Sequence, residues 1–310
     1  MHPRFRSTTA LILGGLFVLL AAALAAAPGR PFLRPQVREE PTISVYMHDT
    51  GETTSMKLEE YLEGVVAAEM GSDFPPEALA AQAIIARSFT LHKIEERGGT
   101  KQIHNTDVCT DPEHFQAYDA SRVTEQIKQA VRDTRGIVAT FQGKPALVWF
   151  HANSGGMTAT PAEGLGFDEF PVPYANPIED PVADAKEWET SVSQAEFIRA
   201  VNETGVQVSA IDSITISEKG PSGRATKIQV GGQQVSAPEL RIALGAERMR
   251  STLLESIQTD GANVTISGKG FGHGVGLSQD GAKALAEQRK SASEIIRHYY
   301  SGLTLEKVWQ

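Results

Sequence analysis

The chain has 310 residues, 41% apolar and 22% charged, with a formal charge of −9. Such a composition can bury one large core or two small ones, and it excludes disordered and collagen-like chains. The acidic balance argues against a nucleic-acid partner, whose phosphates need a basic face, and the single cysteine, Cys109, leaves no internal disulfide.

At the N-terminus, Arg4 and Arg6 precede an uncharged stretch from Ser7 to Ala27 that includes Leu11, Leu13, Leu16, Phe17, Leu19 and Leu20. A helix needs roughly 20 such residues to cross the hydrocarbon layer, so residues 7–27 are expected to form a single transmembrane anchor, with a cleaved signal segment as the rival reading. Ala25, Ala26 and Ala27 suit a signal peptidase, but Pro28 directly after them hinders cleavage there. The anchor reading keeps residues 1–6 in the cytoplasm, and either reading exports the rest. The expected location is therefore the cell membrane, in a single pass, with the main domain outside the cytoplasm. Residues 28–41 (PGRPFLRPQVREEP) hold four prolines and read as a stiff, extended linker.

Thr42 to Met47 reads as a strand. Leu58, Tyr61, Leu62, Val65 and Val66 recur at the spacing of one buried helical face, which predicts a helix from Leu58 to Met70 stopped by Gly71. Pro75 and Pro76 open a second, alanine-rich helix that runs to about Glu96 and ends at Gly98 and Gly99. A helix over 124–133 leads into strands at 137–141 and 146–152. Ser193, Ser236 and Ser291 each stand three residues before a glutamate (Glu196, Glu239, Glu294), the reciprocal capping pattern of a helix start. Further strands are expected at 211–217, 226–230 and 263–267. Helices and strands mix without strict alternation, so the fold class is α+β over 42–310, with a lobe over about 160–245.

Glu69 continues the apolar stripe of the first helix by the helical period and falls almost back over Leu58. A carboxyl on an apolar face is costly to ionise, so its pKa rises toward the range a general acid needs. A glutamate turned to solvent at the last helical turn is the plainer alternative. The run from Gly268 to Gly276 (GKGFGHGVG) alternates glycine at a period of two. In an extended chain this leaves one bare face for close approach by a polymer or another backbone segment, and Phe271 and His273 on the other. It matches no nucleotide loop, because G-x-G-x-x-G would need glycine at Val275 or Leu277. His151 to Gly156 (HANSGG) lies at the end of an apolar strand. Ser154 could serve as a nucleophile with His151 or His273 as base, but Ala152 stands where a nucleophile elbow needs glycine, so a polar turn competes. His104, Cys109 and His114 could hold zinc, yet three ligands without a fourth argue for no metal.

Together these segments resemble the stage II sporulation protein D family, which includes amidase enhancers. The resemblance rests on 61–70 (YLEGVVAAEM), 77–88 (EALAAQAIIARS), 150–156 (FHANSGG), 270–282 (GFGHGVGLSQDGA) and Tyr299 with Tyr300, in the family's order over nearly all of the exported part. It implies a lytic transglycosylase that cuts peptidoglycan glycan strands already stripped of stem peptides, with Glu69 as the catalytic acid/base. Gln82, Arg87, His151, Ser154, His273 and Gln279 would then orient the sugar or the glutamate. The implied partners are a cell-wall amidase (stage II sporulation protein P) and a membrane scaffold (stage II sporulation protein M), acting during engulfment in sporulation. No cofactor is implied. Zinc-containing members carry a second cysteine soon after the first, where this chain has Phe115. A non-catalytic glycan-binding enhancer of an amidase is one rival; a hydrolytic muramidase using a second acid such as Asp73 is the other.

Overall fold

In the computed structural model, which describes residues 39–310, the stripe Leu58, Tyr61, Leu62, Val65 and Val66 is fully buried and sets the first core. The expected membrane segment at 7–27 lies outside the described residues; among those described, no helix is long and apolar enough to cross a membrane. Strand β1 (Thr42–Met47) pairs antiparallel with β2 (Glu52–Lys57), and α1 (Leu58–Glu69) follows at once. Lys57 offers no capping side chain, so Glu40 supplies one, its Oε1 accepting from the Glu59 amide at 3.0 Å. Helix α2 (Pro76–Arg97) begins on proline and stops at Gly98, whose φ of 76° only glycine adopts at little cost. Its alanines let neighbours approach on every side.

After α2 come α3 (Lys101–His104), β3 (Val108–Cys109), α4 (Glu125–Asp133), β4 (Ile137–Phe141), β5 (Lys144–Pro145), β6 (Phe150–His151) and α5 (Pro161–Leu165). The strand expected over 146–152 shrinks to β6. The reason is local: two tyrosine hydroxyls take the place of a neighbouring strand. Leu147 N donates to the Tyr174 hydroxyl at 3.0 Å and Trp149 N to the Tyr300 hydroxyl at 2.7 Å.

A second core, drawn from Trp188 to Ile266, overlaps the expected lobe. It comprises β7 (Trp188–Ser193), α6 (Gln194–Glu203), β8 (Ile214–Lys219), β9 (Ala225–Val230), β10 (Gln233–Ser236), α7 (Ala237–Leu244), β11 (Leu254–Thr259) and β12 (Asn263–Gly268). Its two sheets, ordered β10-β9-β8 and β11-β12-β7, are antiparallel throughout. The chain then returns to the first core through β13 (Leu277–Ser278), α8 (Gln279–Glu287), α9 (Ala292–Tyr299) and β14 (Thr304–Lys307). There β13 pairs parallel with β6 and β14 antiparallel with β4. The first core is thus assembled from both ends of the described chain, around an inserted second one.

Ser193, Ser236 and Ser291 cap α6, α7 and α9 as expected, each accepting from the glutamate amide three residues on. Only Ser291 completes the reciprocal box. Glu196 instead turns to Arg248, a pairing that no local pattern shows. Thr160 and Glu163 form a second full box, at the start of α5.

Candidate active site

Glu69 ends α1 and lines a cleft of about 550 Å³ between the two cores. Phe89, Phe115, Trp149, Phe150 and Phe271 give the cleft an aromatic lining, while Arg241 and Glu247 reach it from the second core. The carboxyl is half-buried: Oε1 accepts from the Ala117 amide at 3.2 Å. Burial pushes its pKa from 4.5 up to about 7, against the opposing pull of the Ala117 amide and the nearby Gln279 side chain. Gln279 lies close enough to act on Glu69, although its Nε2 closes no hydrogen bond. Burial thus brings Glu69 toward the neutral range, where a carboxyl can both give and accept a proton.

The floor of the cleft is built by two stretches that sequence alone could not join. Phe271 N donates to Asn153 O at 2.8 Å, and Asn153 N returns the bond to Phe271 O at 2.9 Å. This clamps the glycine run against the HANSGG turn and brings the His151 and His273 rings to 5.6 Å. His151 Nδ1 faces Val275 O at 3.1 Å, so it must carry the proton, which leaves Nε2 as an acceptor, buried and without a partner. His273 is the opposite tautomer: its Nδ1 accepts from Val275 N at 3.0 Å, so the proton sits on Nε2. Both rings stay neutral. Burial lowers the His151 pKa far below its ordinary value, helped by His273 and Arg224. Burial also lowers that of His273 to about 3, with Arg241 and Arg224 adding to it. Gln116, held by its Nε2 on Thr90 Oγ1 at 2.8 Å, leaves Oε1 unpartnered at the same wall.

The glycine run is not an extended strand. Gly270, Gly272, Gly274 and Gly276 all have positive φ, between 73° and 106°. Their missing side chains admit other parts of the protein: a Cβ on Gly274 would strike the Arg224 guanidinium, and one on Gly276 the Tyr300 hydroxyl. Of the two occupants expected for the bare face, it is the protein itself that approaches. Phe271 and His273 still line the cleft, while Val275 and Leu277 sink into the first core.

The remaining expected residues lie elsewhere. Arg87 is fully buried and forks onto Glu59, Nε to Oε1 at 3.1 Å and Nη2 to Oε2 at 2.6 Å. Glu59 Oε1 also accepts from Gly136 N and Trp309 Nε1, so this pair ties α1 and α2 to the C-terminus and has no free donor for a ligand. Gln82 is fully buried within α2, off the cleft, with both amide atoms unpartnered. Ser154 is fully buried, and its hydroxyl donates to Asp180 Oδ2 at 2.5 Å rather than to either histidine. A serine nucleophile is overturned by that geometry. Asp73 does not line the cleft either.

His104, Cys109 and His114, separate in sequence, do come together, their ligand atoms all within 4.8 Å of one another. Asp111 adds a carboxylate oxygen 3.4 Å from His114 Nδ1. One sulfur and two imidazoles thus supply three of the four ligands a zinc site needs, and Asp111 also faces His48 at 3.3 Å. Phe115 packs edge-on to Phe89 with centroids 5.5 Å apart and offers no fourth ligand. Arg241, Ala117, Gln116 and Asp111 had no signal in the sequence; Arg241 reads there as an ordinary cation in the last turn of a helix.

An α+β protein with a single desolvated carboxyl in an aromatic-lined cleft is the class these features define. Residues 46–141 match the family described as stage II sporulation protein, and residues 176–276 match one described as a domain of unknown function. The chain is 30% identical over 287 residues to stage II sporulation protein D of Bacillus amyloliquefaciens, spanning 88% of this chain and 81% of that one. Its identity to stage II sporulation protein D of Bacillus subtilis is 28% over 283 residues, or 86% and 79% of the two chains. It is 27% identical over 296 residues to the amidase enhancer of Bacillus subtilis, 79% of this chain but 40% of that one. The chain belongs to the stage II sporulation protein D family.

Proposed function

We propose that this chain is a lytic transglycosylase that cuts the bond between N-acetylmuramic acid and N-acetylglucosamine in peptidoglycan strands, with Glu69 as its one acid/base. The observation that carries the reading is the half-buried Glu69 carboxyl, its pKa pushed up to about 7, in a cleft whose other carboxylate is the exposed Glu247. A hydrolytic glycosidase uses two carboxylates, one of them to handle water or the sugar. A transglycosylase needs one. Protonated Glu69 gives its proton to the glycosidic oxygen as the C1–O bond breaks. The muramic C6 hydroxyl then bonds to C1 and loses its proton to Glu69, which restores the acid. The products are a free 4-hydroxyl and a 1,6-anhydromuramoyl end, and no water is consumed. Gln279 is near enough to act on Glu69, and the neutral His151 and His273 rings shape the wall beside it, His273 held by the Phe150 backbone.

Zinc at His104, Cys109 and His114 would brace the loop that presents Ala117 to Glu69. The cell-wall setting is supported by relatives named for sporulation and for amidase enhancement. On this reading residues 7–27 anchor the chain, stage II sporulation protein P supplies the stripped strands and stage II sporulation protein M gathers the machinery. Mass spectrometry of peptide-free glycan after digestion tests the proposal. Anhydro ends are the expected product; reducing ends would point to a muramidase, and uncut strands that still bind would point to an enhancer.

A further inference from the structure

We propose that Arg241 is the receptor for a carboxylate on the sugar bound beside Glu69, namely the free lactyl carboxylate of muramic acid. The inference deepens the glycan-cutting reading and rests on it. Arg241 projects from α7 into the same cleft as Glu69, across from the first core. It is half-buried, enough for burial to lower its pKa. Its Nε donates to Arg250 O at 3.2 Å, which fixes the plane of the guanidinium, and neither terminal nitrogen has a hydrogen bond or an ion-pair partner among the described residues. Arg224, also deep in the second core, differs on this point: Nη1 reaches Met157 O at 2.7 Å and Nη2 reaches Ser154 O at 2.6 Å. The terminal nitrogens of Arg241, open to the cleft and without a protein partner, are free to take an anion, and a planar carboxylate is the anion that matches two parallel N–H donors.

The neighbouring groups agree. His151 and His273 face Arg241 as neutral rings, and its charge helps keep them so. Phe271, Trp149 and Phe115 offer ring faces to the sugar but no charge. In a strand of alternating N-acetylglucosamine and N-acetylmuramic acid, only the second sugar carries a carboxyl, on its lactyl ether. That carboxyl is an anion only when no peptide is joined to it. Arg241 therefore selects which of the two sugars sits beside Glu69.

Calorimetric binding to the Glu69→Gln protein, which does not depend on cleavage, is the test. Three probes are needed: a peptide-free muramic-acid tetrasaccharide, its lactyl methyl ester, and a chitin tetrasaccharide that lacks the lactyl group. The free acid is expected to bind about tenfold or more tightly than the ester, as losing a charge-assisted pair implies. Adding Arg241→Gln should erase that difference while leaving chitin binding within about twofold, and adding Arg241→Lys should restore part of it. A free-acid preference that survives Arg241→Gln overturns the proposal, as does an ester that binds as well as the acid. Anhydro products from unmutated protein, measured separately, report on the cutting reading alone, so the two failures are distinguishable.

Discussion

The amide of Ala117 donates to Oε1 of Glu69 at 3.2 Å, so the loop that begins at Cys109 ends on the candidate acid. Between them lie His114, which sits among the possible metal ligands, and Gln116, tied to α2 through Thr90. Against the sequence expectation of no metal, the meeting of His104, Cys109 and His114 leads us to expect one zinc per chain in protein purified without chelator. Stripping it should lower Tm and loosen the loop, because metal binding free energy is also folding free energy. Cys109→Ser should lower metal content and Tm together. Atomic absorption showing no zinc, with a Tm indifferent to chelation, would leave the cluster a plain hydrogen-bonded surface.

The Glu69 carboxyl makes two measurements move in opposite senses. Folded, it holds its proton up to about pH 7; unfolded, it releases it near 4.5. Between those values the native state binds the extra proton, so stability falls as pH rises, by up to about 3 kcal/mol once both states are ionised. Glu69→Gln removes that penalty and should melt higher than the unmutated protein at pH 8, with little difference at pH 4. The same substitution should cut the cleavage rate by about 10²-fold or more. A variant that melts lower at pH 8, or retains over about a tenth of the rate, would count against Glu69 as the acid.

Cleavage by unmutated protein should decline above about pH 7, one power of ten per pH unit, as the acid form of Glu69 is lost. Both site histidines are already neutral there, so neither contributes a limb in that range. A rate that stays flat to pH 9 would sink the assignment.

Ser154→Ala separates a structural hydroxyl from a nucleophile. Asp180 takes one bond from Ser154 and another from the Tyr299 hydroxyl at 2.6 Å, all of it buried. Removing one donor should cost about 1–3 kcal/mol, read from denaturant unfolding, with activity per folded molecule almost unchanged. A loss of activity beyond about 10³-fold in folded protein would instead restore the nucleophile.

Gly274→Val should lower Tm sharply, because the new side chain meets the Arg224 guanidinium at a φ of 81°. Gly261→Val, at a turn with open space around it, carries only the backbone strain of its φ of 89° and should melt closer to the unmutated protein. Equal Tm values for the two would show that Arg224 does not pack as described.

Local patterns fixed much of this protein in advance. The apolar stripe of α1 and the prolines and glycines around α2 place helix boundaries within a residue or so, since these depend on capping and periodicity close along the chain. The same stripe pointed to Glu69, because a carboxyl in phase with buried leucines and valines must lose solvent wherever that face packs. What residue spacing could not reveal was which distant groups share its space. Arg87 and Ser154 were both expected to orient the sugar or the glutamate; Arg87 pairs with Glu59 and Ser154 with Asp180. Arg241, a routine helix-end arginine in sequence, became the cation open to the cleft only when the inserted second core folded against the first. A charge's role follows from its partners and its distance from water, and here both are set by residues scores of positions away, so only the tertiary structure could decide it.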